Sequence, residues 1–210
     1  MTKRRVVAVL LFDGVELLDF SGPAEVFVVA AQGKAFRVVT VAERRKPVRT
    51  MGGLRVLAEY DFASAPRADI VVIPGGATEN VNDEGLAWIR SAAAGAEVVM
   101  SVCMGAFLLA RVGLLDGVTA TTHHWGVKRL RSAAPLCRVV QGERYVDSGH
   151  VVTTAGVTAG IDGALHVVER LLGRAARRWT ARSWLEHECQ LPGGRMRPLA
   201  ARSGWSDASG

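Results

Sequence analysis

The residues best placed to do covalent chemistry lie in VVMSVCMGAFLLA, residues 98–110, where an apolar run of strand type meets Cys103 and then an apolar run of helical type. A nucleophile held on a sharp strand-to-helix turn stands at the top of a sheet, and it needs small neighbours so that the following helix can pass close. Ser101 and Gly105 meet that need. A helix start also offers unpaired N–H groups and the positive end of the macrodipole, which favour thiolate over thiol, and the thiolate is the nucleophile. Free cysteine is equally among the most buried residue types and often acts as a small hydrophobe, the reading that suits Cys137 and Cys189. Three cysteines at wide spacing suggest neither a disulfide framework nor a CxxC metal site.

A reactive thiol needs an acid–base partner, and three carboxylates compete for the role. Asp19 stands ahead of SGPAEVFVVAA, residues 21–31, which reads as a helix with Ser21 or Gly22 at its cap and Pro23 in its first turn. Asp19 is therefore expected in the turn before that helix, where capping is the commoner fate of an aspartate. Glu16 reads as a solvated turn residue, and Glu25 as a helix residue that could reach the sulfur. The PGG run at 74–76 follows a strand; Gly75 and Gly76 let backbone N–H groups approach a small ligand, although turns use such residues for purely structural reasons too. His123 and His124 in TTHHW, residues 121–125, read alone as turn histidines bonded to backbone, and no third ligand at suitable spacing completes a metal site. The HE pair at 187–188 lacks the second histidine of a zinc protease, and no cofactor is implied.

The elements that position these residues alternate. Strands are expected at 6–12, 36–42, 55–60 and 70–73, with helices at 21–31, 83–94 and 160–173. That order predicts an α/β sandwich, a mostly parallel sheet covered by helices on both faces, with ligands outside the carboxyl ends of the strands. The chain of 210 residues, 49% apolar and 22% charged, fits one domain over residues 1–190, followed by a tail at 191–210. No apolar stretch reaches the roughly 18 residues that cross a bilayer, because Asp13, Glu16 and Asp19 break the first run, and a cytoplasmic location without membrane contact is expected. The net charge of +6 is spread over scattered basic runs with no nucleic-acid motif beside them, so nucleic-acid binding is not expected.

Four stretches in order, LLFDGVELLDFSGPAEVF (10–27), VVIPGG (71–76), SVCMGAFLLARVGLLDGVTATTHHW (101–125) and GVTAGIDGALHVVERLLG (156–173), together resemble the PfpI/ThiJ superfamily. Within it the sequence is most similar to isocyanide hydratases and to the amidase-like ligand domains of AraC-type regulators. The resemblance implies a flavodoxin-like fold with a cysteine nucleophile elbow, and a homodimer. Peptidase-like members carry a histidine directly after the cysteine; Met104 stands there instead, which counts against proteolysis. The hydratase pattern places an aspartate just before xTGP, and LLDFSGP matches it through Asp19, with Ser21 in place of threonine.

The activity so implied is hydration of small organic isocyanides to N-formamides. Cys103 attacks the terminal carbon, Asp19 supplies the proton, and a water that Asp19 deprotonates attacks the resulting thioimidate. Because a charged Asp19 beside a thiolate would raise one of the two pKa values, the pair must share a proton, pictured as an aspartic acid bonded to a thiolate. Gly75, Gly76, Met104 and His123 are the implied substrate- and oxyanion-binding residues. Relatives carry TTHW or TTHP where this chain has TTHHW, so His124 reads as a substitution or an insertion and His123 is the better match. Two other functions stay open: a small-molecule sensor, and a redox-stress or glyoxalase-like thiol protein. No second helical domain is expected after residue 190, which speaks against a one-chain DNA-binding regulator and leaves a fragment of one open.

Overall fold

The computed structural model describes residues 4–186. The expected tail at 191–210, Cys189 and the HE pair lie outside the described residues. Strand β1 (Arg5–Leu10) carries four consecutive buried residues, and β6 (Ile70–Ile73) and β7 (Val98–Ser101) are buried throughout. Apolar runs of this kind have no solvated face, and they form the centre of a parallel sheet. With β2 (Phe36–Ala42), β5 (Tyr60–Asp61), β10 (Tyr145–Ser148) and β11 (Val151–Thr154) they build a seven-stranded sheet in the order β10-β11-β7-β6-β1-β2-β5. Every pairing is parallel except β10 with β11. Two small ribbons stand apart, β3 (Pro47–Arg49) with β4 (Arg55–Leu57) and β8 (Thr119–Ala120) with β9 (Arg138–Val139).

The helices fall into two groups. α1 (Leu17–Gly33), α5 (Ala159–Leu172) and α6 (Arg174–Trp179) pack on one another; so do α2 (Asp83–Gly95), α3 (Gly105–Arg111) and α4 (Val127–Ala133) in series. The expected α/β sandwich is thus present, a mostly parallel sheet within helical layers. The α2 start is set by Asn82, whose side-chain oxygen accepts from the Gly85 N–H at 3.0 Å.

Two elements differ from their sequence reading. The first helix begins at Leu17 and not at 21, so Asp19 lies inside its first turn and Pro23 inside the helix. Pro23 removes the bond that would reach back to the Asp19 carbonyl, while Phe20, Gly22 and Pro23 are buried by the longer helix. The run 55–60 also divides. Residues 55–57 pair with β3, and Tyr60–Asp61 joins the edge of the main sheet beside β2, the Glu59 N–H being taken by the Thr40 hydroxyl at 3.0 Å.

Candidate active site

Between β7 and α3 the chain turns through Val102, Cys103 and Met104. Cys103 sits at φ 57°, in the left-handed region that side-chain-bearing residues avoid at a cost of about 1–2 kcal/mol. The surroundings hold it there. The Cys103 N–H donates to the Ala155 carbonyl at 3.0 Å, and the Cys103 carbonyl accepts from the Thr122 hydroxyl at 2.6 Å. The glycine two residues on is required because a Cβ at Gly105 would lie 2.1 Å from the Ile73 carbonyl oxygen of the neighbouring strand. The sequence pattern therefore does form a nucleophile elbow, with the thiol residue only 8% exposed.

Asp19 reaches the elbow from the first turn of α1 and is completely buried. Its Oδ2 accepts the Gly75 N–H at 3.0 Å. Gly75 lies between acid and thiol: a Cβ there would fall 2.6 Å from the Met104 nitrogen, 2.7 Å from Asp19 Oδ2 and 3.0 Å from the Cys103 Cβ. Among the described residues Oδ1 has no hydrogen bond of ordinary geometry, although the Cys103 thiol and the Val157 N–H approach the carboxylate closely enough to favour its charge.

The two groups perturb each other. Burial pushes the Asp19 carboxyl up to about 6, opposed by the Gly75 N–H and the Cys103 thiol, with the nearby Glu16 charge raising it further. Burial and then the Asp19 charge push the Cys103 thiol up to about 12, against the lowering effects of the Met104 and Val157 N–H groups. At neutral pH the pair therefore carries one negative charge and one shared proton, held as a carboxylate beside a thiol. Burial of the thiol and the neighbouring anion thus favour a carboxylate beside a thiol over the expected thiolate beside an aspartic acid. The amides at the helix start do favour the thiolate, but desolvation and a neighbouring anion outweigh them.

The other expected residues gather around this pair in different roles. The Met104 N–H lies close enough to the sulfur to favour its charge, and the thioether packs near Gly126. The Gly75 amide holds the Asp19 carboxylate, so it supports the acid and is not a free oxyanion donor. Gly76, at φ 117°, brings its strand end against the 14–16 turn, where a Cβ would lie 2.1 Å from the Gly14 carbonyl oxygen. His123 lays its ring on Gly156, and its Nδ1 accepts the Trp125 N–H at 3.2 Å. Burial and the adjacent His124 hold the His123 pKa below its ordinary value. Both histidines line a cavity of about 340 Å³ that includes Thr122, Arg144, Gly156 and Val157. Glu25 is exposed and accepts from the Trp184 indole at 3.1 Å, which engages it away from the sulfur.

Sequence reasoning missed Val157 and Thr122. Val157 stands at φ 51° and aims its N–H at both members of the pair. A β-branched residue gives no hint of a left-handed conformation, so only the neighbouring glycines of GVTAG pointed toward a tight loop.

Residues 5–170 match the DJ-1/PfpI family. An isonitrile hydratase of Pseudomonas putida is 36% identical over 170 residues, covering 80% of this chain and 72% of the relative. The HTH-type transcriptional regulator GbdR of Pseudomonas aeruginosa is 28% identical over 175 residues, covering 80% of this chain and 47% of the regulator. Among solved structures, a THiJ/PfpI family protein from Pseudomonas syringae superposes with a TM-score of 0.79 at 28% identity, over 90% of this chain and 78% of that one.

Proposed function

The chain belongs to the DJ-1/PfpI family, and from that premise we propose that it hydrates small organic isocyanides to N-formamides with Cys103 as nucleophile and Asp19 as the general acid and base. The observation that carries the proposal is the fully buried Asp19 carboxyl, held by the Gly75 N–H beside the elbow thiol. The likeness to an isonitrile hydratase supports it.

Each step balances through the one proton that the pair shares. Asp19 takes the thiol proton as sulfur bonds to the terminal carbon of R–N≡C, and it returns the proton to that carbon to give R–N=CH–S–Cys103. The carboxylate then takes a proton from water as the water oxygen bonds to the same carbon, and delivers it to nitrogen. Collapse of R–NH–CH(OH)–S breaks the carbon–sulfur bond, releases R–NH–CHO and leaves the hydroxyl proton with the pair. The carbon hydrogen comes from the pair and the nitrogen hydrogen from the water, whose second proton restores the pair for the next turnover. An acid near pKa 6 suits this cycle because it gives and takes protons with little penalty near neutral pH. The Met104 and Val157 N–H groups stabilise charge as it develops on sulfur.

Four exposed large apolar side chains, Leu17 and, around the β3–β4 ribbon, Met51, Leu54 and Leu57, support the further proposal of a homodimer. Sedimentation analysis at micromolar concentration would refute it by showing a monomer alone. The similarity to a transcriptional regulator favours a second reading, ligand sensing without turnover. The test is mass-spectrometric assay of formamide from p-nitrophenyl isocyanide with wild type, Cys103→Ala and Asp19→Asn. Turnover by wild type alone supports the hydratase. No wild-type turnover, with a melting temperature that rises when the isocyanide is added, would replace it with the sensor.

A further inference from the structure

The loop at 155–158 supplies the elbow with two contacts, and both its ends are tied to one residue. The Arg144 carbonyl accepts the Ala155 N–H at 2.8 Å, while its guanidinium Nη2 donates to the Thr158 hydroxyl at 3.3 Å and its Nε to Asp162 Oδ2. Asp162 lies in the first turn of α5 and is only 4% exposed, a buried carboxylate that the proposed chemistry does not use. Between these ties, the Ala155 carbonyl accepts the Cys103 N–H at 3.0 Å and the Val157 N–H faces Cys103 and Asp19. Val157 is β-branched at φ 51°, a conformation that persists only when the flanking chain is pinned.

We propose that Arg144 is a positioning residue for Cys103, with Asp162 as its anchor: main chain and guanidinium together clamp the 155–158 loop so that the Val157 N–H stays aimed at the sulfur. Arginine is suited to this because its planar fork reaches a carboxylate and a hydroxyl at once, whereas a lysine ammonium on a flexible stem fixes neither direction. With the clamp released, Val157 relaxes toward negative φ, its N–H turns away, and the thiolate loses a charge-assisted hydrogen bond. Such a loss raises the thiol pKa by about one unit, so the thiolate fraction falls about tenfold. The inference concerns Cys103 itself, so it holds for any electrophile and stands or falls separately from the hydratase reading.

The test is the rate of Cys103 alkylation by iodoacetamide between about pH 7 and 10, followed by peptide mass spectrometry so that Cys137 and Cys189 do not interfere. It is run on full-length wild type, Arg144→Met, Arg144→Lys, Asp162→Asn and Thr158→Val, with melting temperature measured in parallel. Arg170→Met serves as the control, since Arg170 ties the same β10–β11 hairpin to α5 through Asp147 at 3.0 Å without touching the 155–158 loop. The expected result is a parallel displacement of the Arg144→Met profile by about half a pH unit, about threefold slower at a given pH, because the more basic thiolate is also the better nucleophile at a Brønsted slope of about 0.4–0.5. Asp162→Asn should reproduce it, with partial recovery in Arg144→Lys and no displacement in Arg170→Met. Thr158→Val leaves the salt bridge in place and keeps the test informative should Arg144→Met fail to fold; it too should slow the reaction. Profiles of the clamp variants that superimpose on wild type overturn the proposal, as does an equal displacement in Arg170→Met.

Discussion

Replacing Asp19 with asparagine should make Cys103 more reactive toward a simple alkylating agent while abolishing turnover. Asparagine keeps the shape, and its side-chain oxygen can still accept the Gly75 N–H that Oδ2 accepts at 3.0 Å. Two influences holding the thiol near 12 then vanish: the carboxylate charge and the hydrogen bond from thiol to carboxylate. Burial, the largest, remains. A charge a few ångströms away shifts a pKa by about 1–3 units; with a fall of about two, the thiolate fraction at pH 8 rises about 100-fold. A less basic thiolate is less nucleophilic, which takes back about tenfold at a Brønsted slope of about 0.4–0.5. Iodoacetamide should therefore modify Cys103 about tenfold faster in Asp19→Asn than in wild type at pH 8. Formamide formation should fall by about 10²–10⁴, the usual worth of a general acid–base group. Alkylation that is unchanged or slower would refute the reasoning, because Asp19 would then not be an anion beside a protonated thiol.

The same carboxylate carries a stability signature. Its folded pKa of about 6 lies above the ordinary 3.8, so the folded state prefers the protonated form; the preference is fully expressed below pH 4 and lost as pH rises through 6. About two units correspond to about 3 kcal/mol of strain at neutral pH. Asp19→Asn should melt roughly 5–10 °C above wild type at pH 7.5 and lose that advantage by pH 4, as differential scanning fluorimetry would record. The wild-type kcat should rise with pH through about 6 as Asp19 ionises, and a profile flat from pH 5 to 8 would remove Asp19 from the rate-limiting proton transfers. Gly75→Ala would place a methyl 2.6 Å from the Met104 nitrogen; it should cost about 1–3 kcal/mol in denaturant melts and eliminate turnover. Thr122→Val should cost about 1–3 kcal/mol by leaving the Cys103 carbonyl without its 2.6 Å donor, and Thr122→Ser should retain near wild-type stability.

The parts of the site legible in the sequence are those fixed by local geometry. A strand, a cysteine and a glycine two residues later can be read as an elbow because only glycine fits 2.1 Å from the Ile73 carbonyl. Asp19 was legible through its motif, but its place was not. Pro23 pointed to a first helical turn, whereas burial of Phe20 and its neighbours extends the helix back to Leu17 and carries the carboxylate into the core. Protonation was not legible for the same reason, since desolvation is a property of the assembled fold, and it raises both the acid and the thiol. Val157 was hidden because its residue type argues against the conformation that it adopts. The division of residues 55–60 was hidden because a short apolar run carries no sign of which strand it will join.

The most direct measurement is peptide mass spectrometry of wild-type protein acid-quenched during steady turnover of p-nitrophenyl isocyanide, with formamide quantified in the same samples. The account predicts formamide together with a fraction of Cys103 carrying the full mass of one isocyanide, and neither from Cys103→Ala. Formamide that accumulates while Cys103 remains unmodified, and that Cys103→Ala also produces, would contradict it.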